Sequence, residues 1–502
     1  MSSIKKLAGQ TIWYGGSSIF ARFLSYLLTP YLTYQLTKER YGEMSLVYAL
    51  VPFLNTIYTY GMETAFFRFL QKDHFKKDVY NTSMVSACTS TILFTFLLII
   101  FRNPVADFIR IPEHPGYILI CALIIGCDAL TALPFAKLRS EDRPRKFALI
   151  RIISILLNIG IVYFFLSVCP TLVEKRPDGI WSLIYNKDFR VGYVLIANLA
   201  ASFFALLCLW KEFVQFKWRF HTTLWKELMI YSLPLTIAGF AGMINETFDR
   251  IMLGWWAPVS NVASARGEVG IYSACYKLSI LITLFIQAFR MGAEPFFFKQ
   301  SLEENAPKTY ARVMKFFVLI ITLMFLLVAL YLDLWRYFIN KKMWEGLKVV
   351  PILLFANMFL GIYYNLSIWY KLSHKTSAGA YITLIGAAIT LIINYLFIPR
   401  YSYMACAWAT FLCYGSMMVL SYIWGQRKYP IPYAWKKLLA YMVIVALLFF
   451  VHHFLTEIWK GAIFSLGIGS VLTLAYAFFI VKVEKKEFEK LPYIGKWIYR
   501  FA

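Results

Sequence analysis

Residues Leu233–Phe298 read LPLTIAGFAGMINETFDRIMLGWWAPVSNVASARGEVGIYSACYKLSILITLFIQAFRMGAEPFFF, two long apolar runs that carry charge. Asn245, Glu246, Asp249, Arg250, Lys277, Gln287, Arg290 and Glu294 fall within or at the edges of segments long enough to cross a bilayer. A charge at mid-membrane costs roughly 2.5–3.5 kcal/mol even on the most lenient scale, so several in adjacent spans imply a lined interior cavity. Glu246 and Arg250 are four apart, as are Asn245 and Asp249, and each pair can meet on a helix. Gln287, Arg290 and Glu294 follow the i, i+3, i+7 pattern and project to one side, with Lys277 well off that face. The competing structural reading is that these charges neutralise one another to hold helices together.

The rest of the chain has the same character. Of 502 residues, 60% are hydrophobic and 16% charged, with a mean hydropathy of +0.60, which excludes a soluble domain. Apolar runs of about 20 residues centre near Arg22, Asn55, Phe94, Asp128, Leu157, Ala201, Gly242, Thr283, Thr322, Phe359, Ala388, Gly415, Ile444 and Val471. The fold class is therefore an all-α polytopic membrane protein with about 14 transmembrane helices. With both termini cytoplasmic, 31 of the 51 Lys and Arg fall on the inner side against about 15 outside. Arg22, Arg151, Arg250, Lys277 and Arg290 lie inside spans. That bias is the topology signal of a multi-pass chain, so the net charge of +24 calls for no nucleic acid, although basic inner loops favour anionic lipid heads. Seven of the eight cysteines sit in apolar runs and Cys169 stands alone in a loop, a pattern that points to neither a disulfide framework nor a metal site. His452 and His453 adjoin at a span end and read as surface residues. No phosphate-binding Gly-rich loop and no H-E-x-x-H motif occurs, and the longest outer loop, 169–188, is too short for a catalytic domain.

An internal repeat organises the spans. Gly42, Tyr48 and Leu50 match Gly270, Tyr276 and Leu278; after a three-residue shift Gly61, Glu63, Phe66 and Phe67 match Gly292, Glu294, Phe297 and Phe298. A second echo pairs Lys137-Leu138 and Asn158 with Lys371-Leu372 and Asn394. The expected organisation is a six-helix half at 1–220, a second at 221–428, and two additional helices with a basic tail at 429–502. Six is even, so the halves are parallel. Polar stripes Ser18, Arg22, Ser25, Thr29 and Tyr48, Asn55, Thr59, Glu63 mark spans one and two as cavity-lining. Pro30, Pro134, Pro234 and Pro295 fall in or near spans, where proline bends helices.

The Gln10–Gly16 opening, Tyr41-Gly42, and Asp249-Arg250-x-x-Leu253-Gly254 followed by Glu268–Tyr272 resemble the polysaccharide transporter family. These are the Wzx-like flippases of the multidrug/oligosaccharidyl-lipid/polysaccharide (MOP) superfamily, and the resemblance spans residues 1 to about 425. It implies a MATE-like MOP fold and translocation of an undecaprenyl-pyrophosphate-linked oligosaccharide, an O-antigen, capsule or exopolysaccharide unit, across a bacterial cytoplasmic membrane. In related lipid II flippases the two extra C-terminal helices help form a groove for the lipid tail. The expected binding residues are Arg22, Arg290, Lys277, Arg250, Asn55 and Gln287, since arginine grips pyrophosphate through its planar fork. Glu63, Glu294, Glu246 and Asp249 are the expected ion-coupling or gating carboxylates, with H+ or Na+ coupling and no other cofactor. Polysaccharide polymerase and chain-length machinery are the expected partners beside membrane lipids. A multidrug exporter of the same superfamily would favour an acidic cavity and twelve spans; a membrane-bound polymerase or ligase would need a large outer loop.

Overall fold

The computed structural model describes residues 2–70, 78–301, 303–373 and 375–488. The side chains of Gln10–Tyr14 in the opening motif and the basic tail after 488 lie outside the described residues. Fourteen long helices match the fourteen apolar runs: α1 (Ser2–Gln35), α2 (Lys38–Thr59), α3 (Val79–Ile100), α4 (Pro115–Ser140), α5 (Pro144–Tyr163), α6 (Arg190–Cys208), α7 (Thr222–Trp256), α8 (Val262–Gln300), α9 (Ala306–Ala329), α10 (Val350–Leu366), α11 (Thr376–Tyr401), α12 (Tyr403–Lys428), α13 (Trp435–Ile458) and α14 (Ala462–Val483). Among the described residues, twelve are long and apolar enough to cross a membrane by length and composition; α1 and α2 are the more polar remainder. No strand occurs among the described residues, as lipid-exposed backbone requires.

Local chemistry sets the helix ends. Thr37 caps α2 by accepting a hydrogen bond from the Arg40 amide, and prolines stand at the start of α4 and α5, where a missing N–H costs nothing. Tyr60 and Gly61 turn into the left-handed region, ending α2 and starting the short helix Met62–Phe69 that carries Glu63. Gly292, the residue that the repeat aligns with Gly61, lies inside the continuous helix α8. The repeated sequence therefore keeps its glycine while the backbone bends in only one copy. Pro30, Pro134, Pro234 and Pro295 all fall inside helices.

The chain forms two compact units, residues 1–274 with 380–413, and residues 275–379 with 414–502. In the first, α6 packs on α4 and α5, α1 on α5, α3 on α4, and α7 on α2. In the second, α9 packs on α10, α13 and α14. Helix α14 buries one stripe, Ser465, Gly469, Thr473, Tyr476 and Ile480, at helical spacing. Gly469 lets its backbone approach the Leu330 carbonyl, Tyr476 Oη donates to Thr322 Oγ1 at 2.9 Å and Tyr331 Oη donates to Ser470 Oγ at 2.9 Å. Small residues and interhelical hydrogen bonds are what hold helices together where lipid is as apolar as leucine. His452 belongs to this seam: it is buried, its Nε2 3.0 Å from the Ser465 carbonyl oxygen, whereas His453 is exposed beside Glu457. The surface reading of His452 fails because α14 covers that side of α13. Cys169, expected in a loop, is buried at the start of the short helix Cys169–Lys175, and none of the eight cysteines is in a disulfide.

Just past α14, Glu484 fastens this pair of helices to α9. Its buried carboxylate takes Lys315 Nζ at 3.0 Å, Lys437 Nζ at 3.2 Å and the Tyr441 hydroxyl at 2.6 Å. Burial pushes the Glu484 carboxyl up, but the Tyr441 hydrogen bond and the two ammonium groups outweigh it and hold the group below the usual carboxylate range. Breaking a buried pair of this kind costs about 3 kcal/mol. Glu484→Gln is accordingly expected to lower the melting temperature in detergent at neutral pH. For a depressed carboxyl the contribution is present above the unfolded value, about 4.3, and is lost as pH falls through the folded value. Wild type and Glu484→Gln should thus converge in the acid range, and identical melting at pH 7 would refute the fastening role.

Candidate functional site

The sharpest constellation lies in the second unit, where α8 and α10 meet. Gly361 permits that approach: a β-carbon there would stand 3.0 Å from Ile286 and 2.7 Å from Phe317. Asn357 Nδ2 donates to the Ser279 carbonyl at 3.2 Å and fixes the two helices against each other. The cleft beside this contact is lined by Arg290, Glu294, Tyr364, Asn365 and Lys371 together with apolar walls including Phe289 and Phe297. Glu294 Oε1 accepts from Arg290 Nε and from Lys371 Nζ, each at 2.7 Å. The Arg290 guanidinium lies 4.7 Å over the Tyr364 ring. Among the described residues its two terminal amino groups have no hydrogen-bond acceptor. Asn365 is 5% exposed, and its Nδ2 donor has no acceptor either. The cleft therefore presents donors and positive charge with one carboxylate among them, and an aromatic face beside them. Gln287 and Lys277 are partly buried on α8 and do not line this cleft.

The first unit carries a second set. Arg22, Asn55, Asp128, Arg151 and Glu246 all stand mid-helix in long apolar spans, yet each is exposed to space free of protein. Glu246 interacts electrostatically with Arg250 and Arg22, and Arg151 with Asp128, Arg139, Glu63 and Arg22. Arg151 stacks over Phe135 at 4.2 Å. Glu63, on the short helix after the break in α2, accepts from Arg139 Nη2 at 2.5 Å, and Arg139 lies 5.1 Å over Phe67. Arg139, Arg151, Asp128 and Lys371 were not among the residues expected from sequence. For Arg151 and Asp128 the signal was present, since both interrupt apolar runs. Arg139 and Lys371 sit at helix ends, where they are indistinguishable from ordinary topology charges.

Other expected site residues are packed into the protein. Asp249 and Arg250 are 2% and 9% exposed. Asp249 Oδ1 accepts from Arg250 Nη1 at 3.2 Å, Oδ2 accepts from the Tyr272 hydroxyl at 2.6 Å, and Arg250 also donates to the Glu246 carbonyl at 2.8 Å. Asn245 donates to the Thr383 carbonyl at 3.2 Å. Arg250 thus hydrogen-bonds the Asp249 carboxylate and the Glu246 carbonyl, while the Glu246 carboxylate interacts with it electrostatically across the i, i+4 spacing. This trio ties α7 to the first turns of α8 and to α11. A further cluster, buried Glu43 and Arg266, joins α2 to α8 at 2.8 Å, with Arg40 on Glu43 at 3.0 Å and Arg266 also bound to Glu113. Burial pushes the Glu113 carboxyl up, but its backbone hydrogen bond and Arg266 prevail and lower it.

Residues 7–301 match the family described as polysaccharide biosynthesis protein. Comparison with curated protein sequences gives no match. Among solved structures, the chain resembles a lipid II flippase MurJ in an inward closed conformation, with a TM-score of 0.66 and 15% identity, covering 94% of this chain and 99% of that one. It also resembles a multidrug resistance MATE family transporter of the MOP superfamily. The inward-facing form gives a TM-score of 0.60, 12% identity and coverage of 80% and 93%; the outward-facing form gives 0.56, 12%, 83% and 94%. At these identities the likeness is one of fold, shared with the MurJ and MATE structures.

Proposed function

We propose, from the premise that the chain belongs to the polysaccharide biosynthesis protein family, that this multi-pass membrane protein is a flippase moving a lipid-pyrophosphate-linked oligosaccharide between leaflets. The observation that carries the reading is the cleft of the second unit. Its open donors, the Arg290 amino groups, the Lys371 ammonium and Asn365 Nδ2, suit a polyanionic head, and the Tyr364 face beside them suits a sugar ring. The bacterial cytoplasmic membrane, cytoplasmic termini, an undecaprenyl carrier and contact with polymerase and chain-length machinery belong to the same proposal. So does a proton or sodium gradient acting through Glu63 and Glu294.

The test is leaflet exchange in vesicles. Purified protein reconstituted with a fluorescent undecaprenyl-pyrophosphate oligosaccharide is expected to move the label out of reach of a membrane-impermeant quencher with time, and empty vesicles are not. Absence of exchange, with export of cationic dyes from the same vesicles, would replace this reading by the multidrug exporter that the MATE-like fold also accommodates.

A further inference from the structure

We propose that Glu63 and Glu294 are resident stand-ins for phosphate. Each, within its own unit, occupies a two-cation anion site that a phosphate group takes when the carboxylate is displaced. The sites are Arg139 with Arg151, and Lys371 with Arg290. The inference rests on the flippase reading for the identity of the anion.

The two sites are built alike. In each, one carboxylate binds a cation at the far end of a helix that the repeat makes equivalent: Arg139 of α4 at 2.5 Å and Lys371 beyond α10 at 2.7 Å. Glu63 and Glu294 are themselves the aligned pair. The partner shifts by two positions in the first copy, since Lys137, the aligned residue, is taken by Gln215 at 2.7 Å and the Tyr80 ring. A second arginine stands within electrostatic reach of each carboxylate, Arg151 near Glu63 and Arg290 on Glu294. Aromatic rings back the guanidinium groups, Phe67, Phe135 and Phe147 in one site and Tyr364 in the other.

Both sites also hold a buried donor with nothing to donate to, Arg139 Nε in the first and Asn365 Nδ2 in the second. A buried N–H without an acceptor costs about 1–3 kcal/mol, and a single carboxylate between two cations leaves these donors unused. A phosphate brings more acceptor oxygens than a carboxylate and satisfies them. Taken alone, two cations and one carboxylate sum to one positive charge while the carboxylate is ionised and two when it is neutral or withdrawn; in the first site Asp128 also faces Arg151. Phosphate and carboxylate therefore compete for the same cations, and the carboxylate prevents the empty site from standing as uncompensated charge.

The experiment measures inorganic pyrophosphate binding to the full chain in phosphatidylcholine nanodiscs. Glu63→Gln and Glu294→Gln are each expected to tighten binding roughly three- to fivefold, because the pairs are partly exposed and screened. Adding Arg139→Gln to Glu63→Gln should erase the gain. Either Gln variant suffices if the other fails to fold. Unchanged or weaker binding in a folded Gln variant overturns the proposal, even where the wild type still exchanges lipid-linked sugar and the flippase reading stands. Tighter binding in a protein that exchanges no lipid-linked sugar upholds the anion sites and removes the flippase reading instead. In discs containing phosphatidylglycerol the gain should persist; its disappearance would assign the sites to bulk lipid and overturn their role for cargo.

Discussion

Arg290→Ala is expected to abolish leaflet exchange while the protein inserts, folds and melts as the wild type does. The reason lies in how the side chain is used. Its Nε is spent on Glu294, its face on Tyr364, and its two terminal amino groups are open to the cleft. A residue that only balanced Glu294 would be dispensable, because Lys371 binds the same oxygen at 2.7 Å and would keep the carboxylate paired. Structural loss should therefore be small, and functional loss large. Arg290→Lys separates the roles further: it keeps the charge and the Glu294 pair but lacks the planar fork, so exchange should fall by about tenfold or more. The same logic applies to Arg22 in the first unit, exposed mid-helix and in the electrostatic field of Arg151 and Glu246. Good expression and full leaflet exchange by both Arg22→Ala and Arg290→Ala would remove cargo binding from these positions.

Much of this arrangement was readable from the chain because membrane helices announce themselves. Each of the fourteen apolar runs became a long helix, and charges that interrupt them, Arg22, Glu246 and Arg290, remained open to space within a span. Sequence failed where a second partner decides. Arg250 has an ideally spaced Glu246 on its own helix, but the carboxylate it hydrogen-bonds is that of the adjacent Asp249, which the Tyr272 hydroxyl also holds, and no periodicity on α7 reveals a residue on α8. Lys371 and Arg139 looked like inner-loop charges because hydropathy fixes depth only to a few residues. Glu43 and Arg266, 223 positions apart in the chain, carry no local signal of the bond between them.

The repeat, by contrast, held more than it first conveyed. Gly42 and Gly270 were aligned as equivalent positions, and in the structure they touch. A β-carbon on Gly42 would lie 1.8 Å from the carbonyl oxygen of Arg266, four residues before Gly270. One on Gly270 would lie 2.0 Å from the carbonyl oxygen of Lys38, four residues before Gly42. Each hypothetical carbon is also 3.1 Å from the other glycine's amide nitrogen. That reciprocity is what a local two-fold crossing of α2 and α8 produces, with equivalent residues meeting at the axis. In an unobstructed helix Gly→Ala stabilises by about 1 kcal/mol. Here the obstacle is backbone, which cannot rotate aside, so Gly42→Ala and Gly270→Ala are each expected to cost more than about 3 kcal/mol. Gly160, with open space where a β-carbon would go, is the control, and Gly160→Ala should melt at or above the wild-type temperature. The damage should also spread to charge. Arg266 reaches buried Glu43 at 2.8 Å because the two backbones are in contact, and helices forced apart would leave both ions buried without each other. Wild-type melting of both glycine variants in detergent would show that α2 and α8 do not cross this closely.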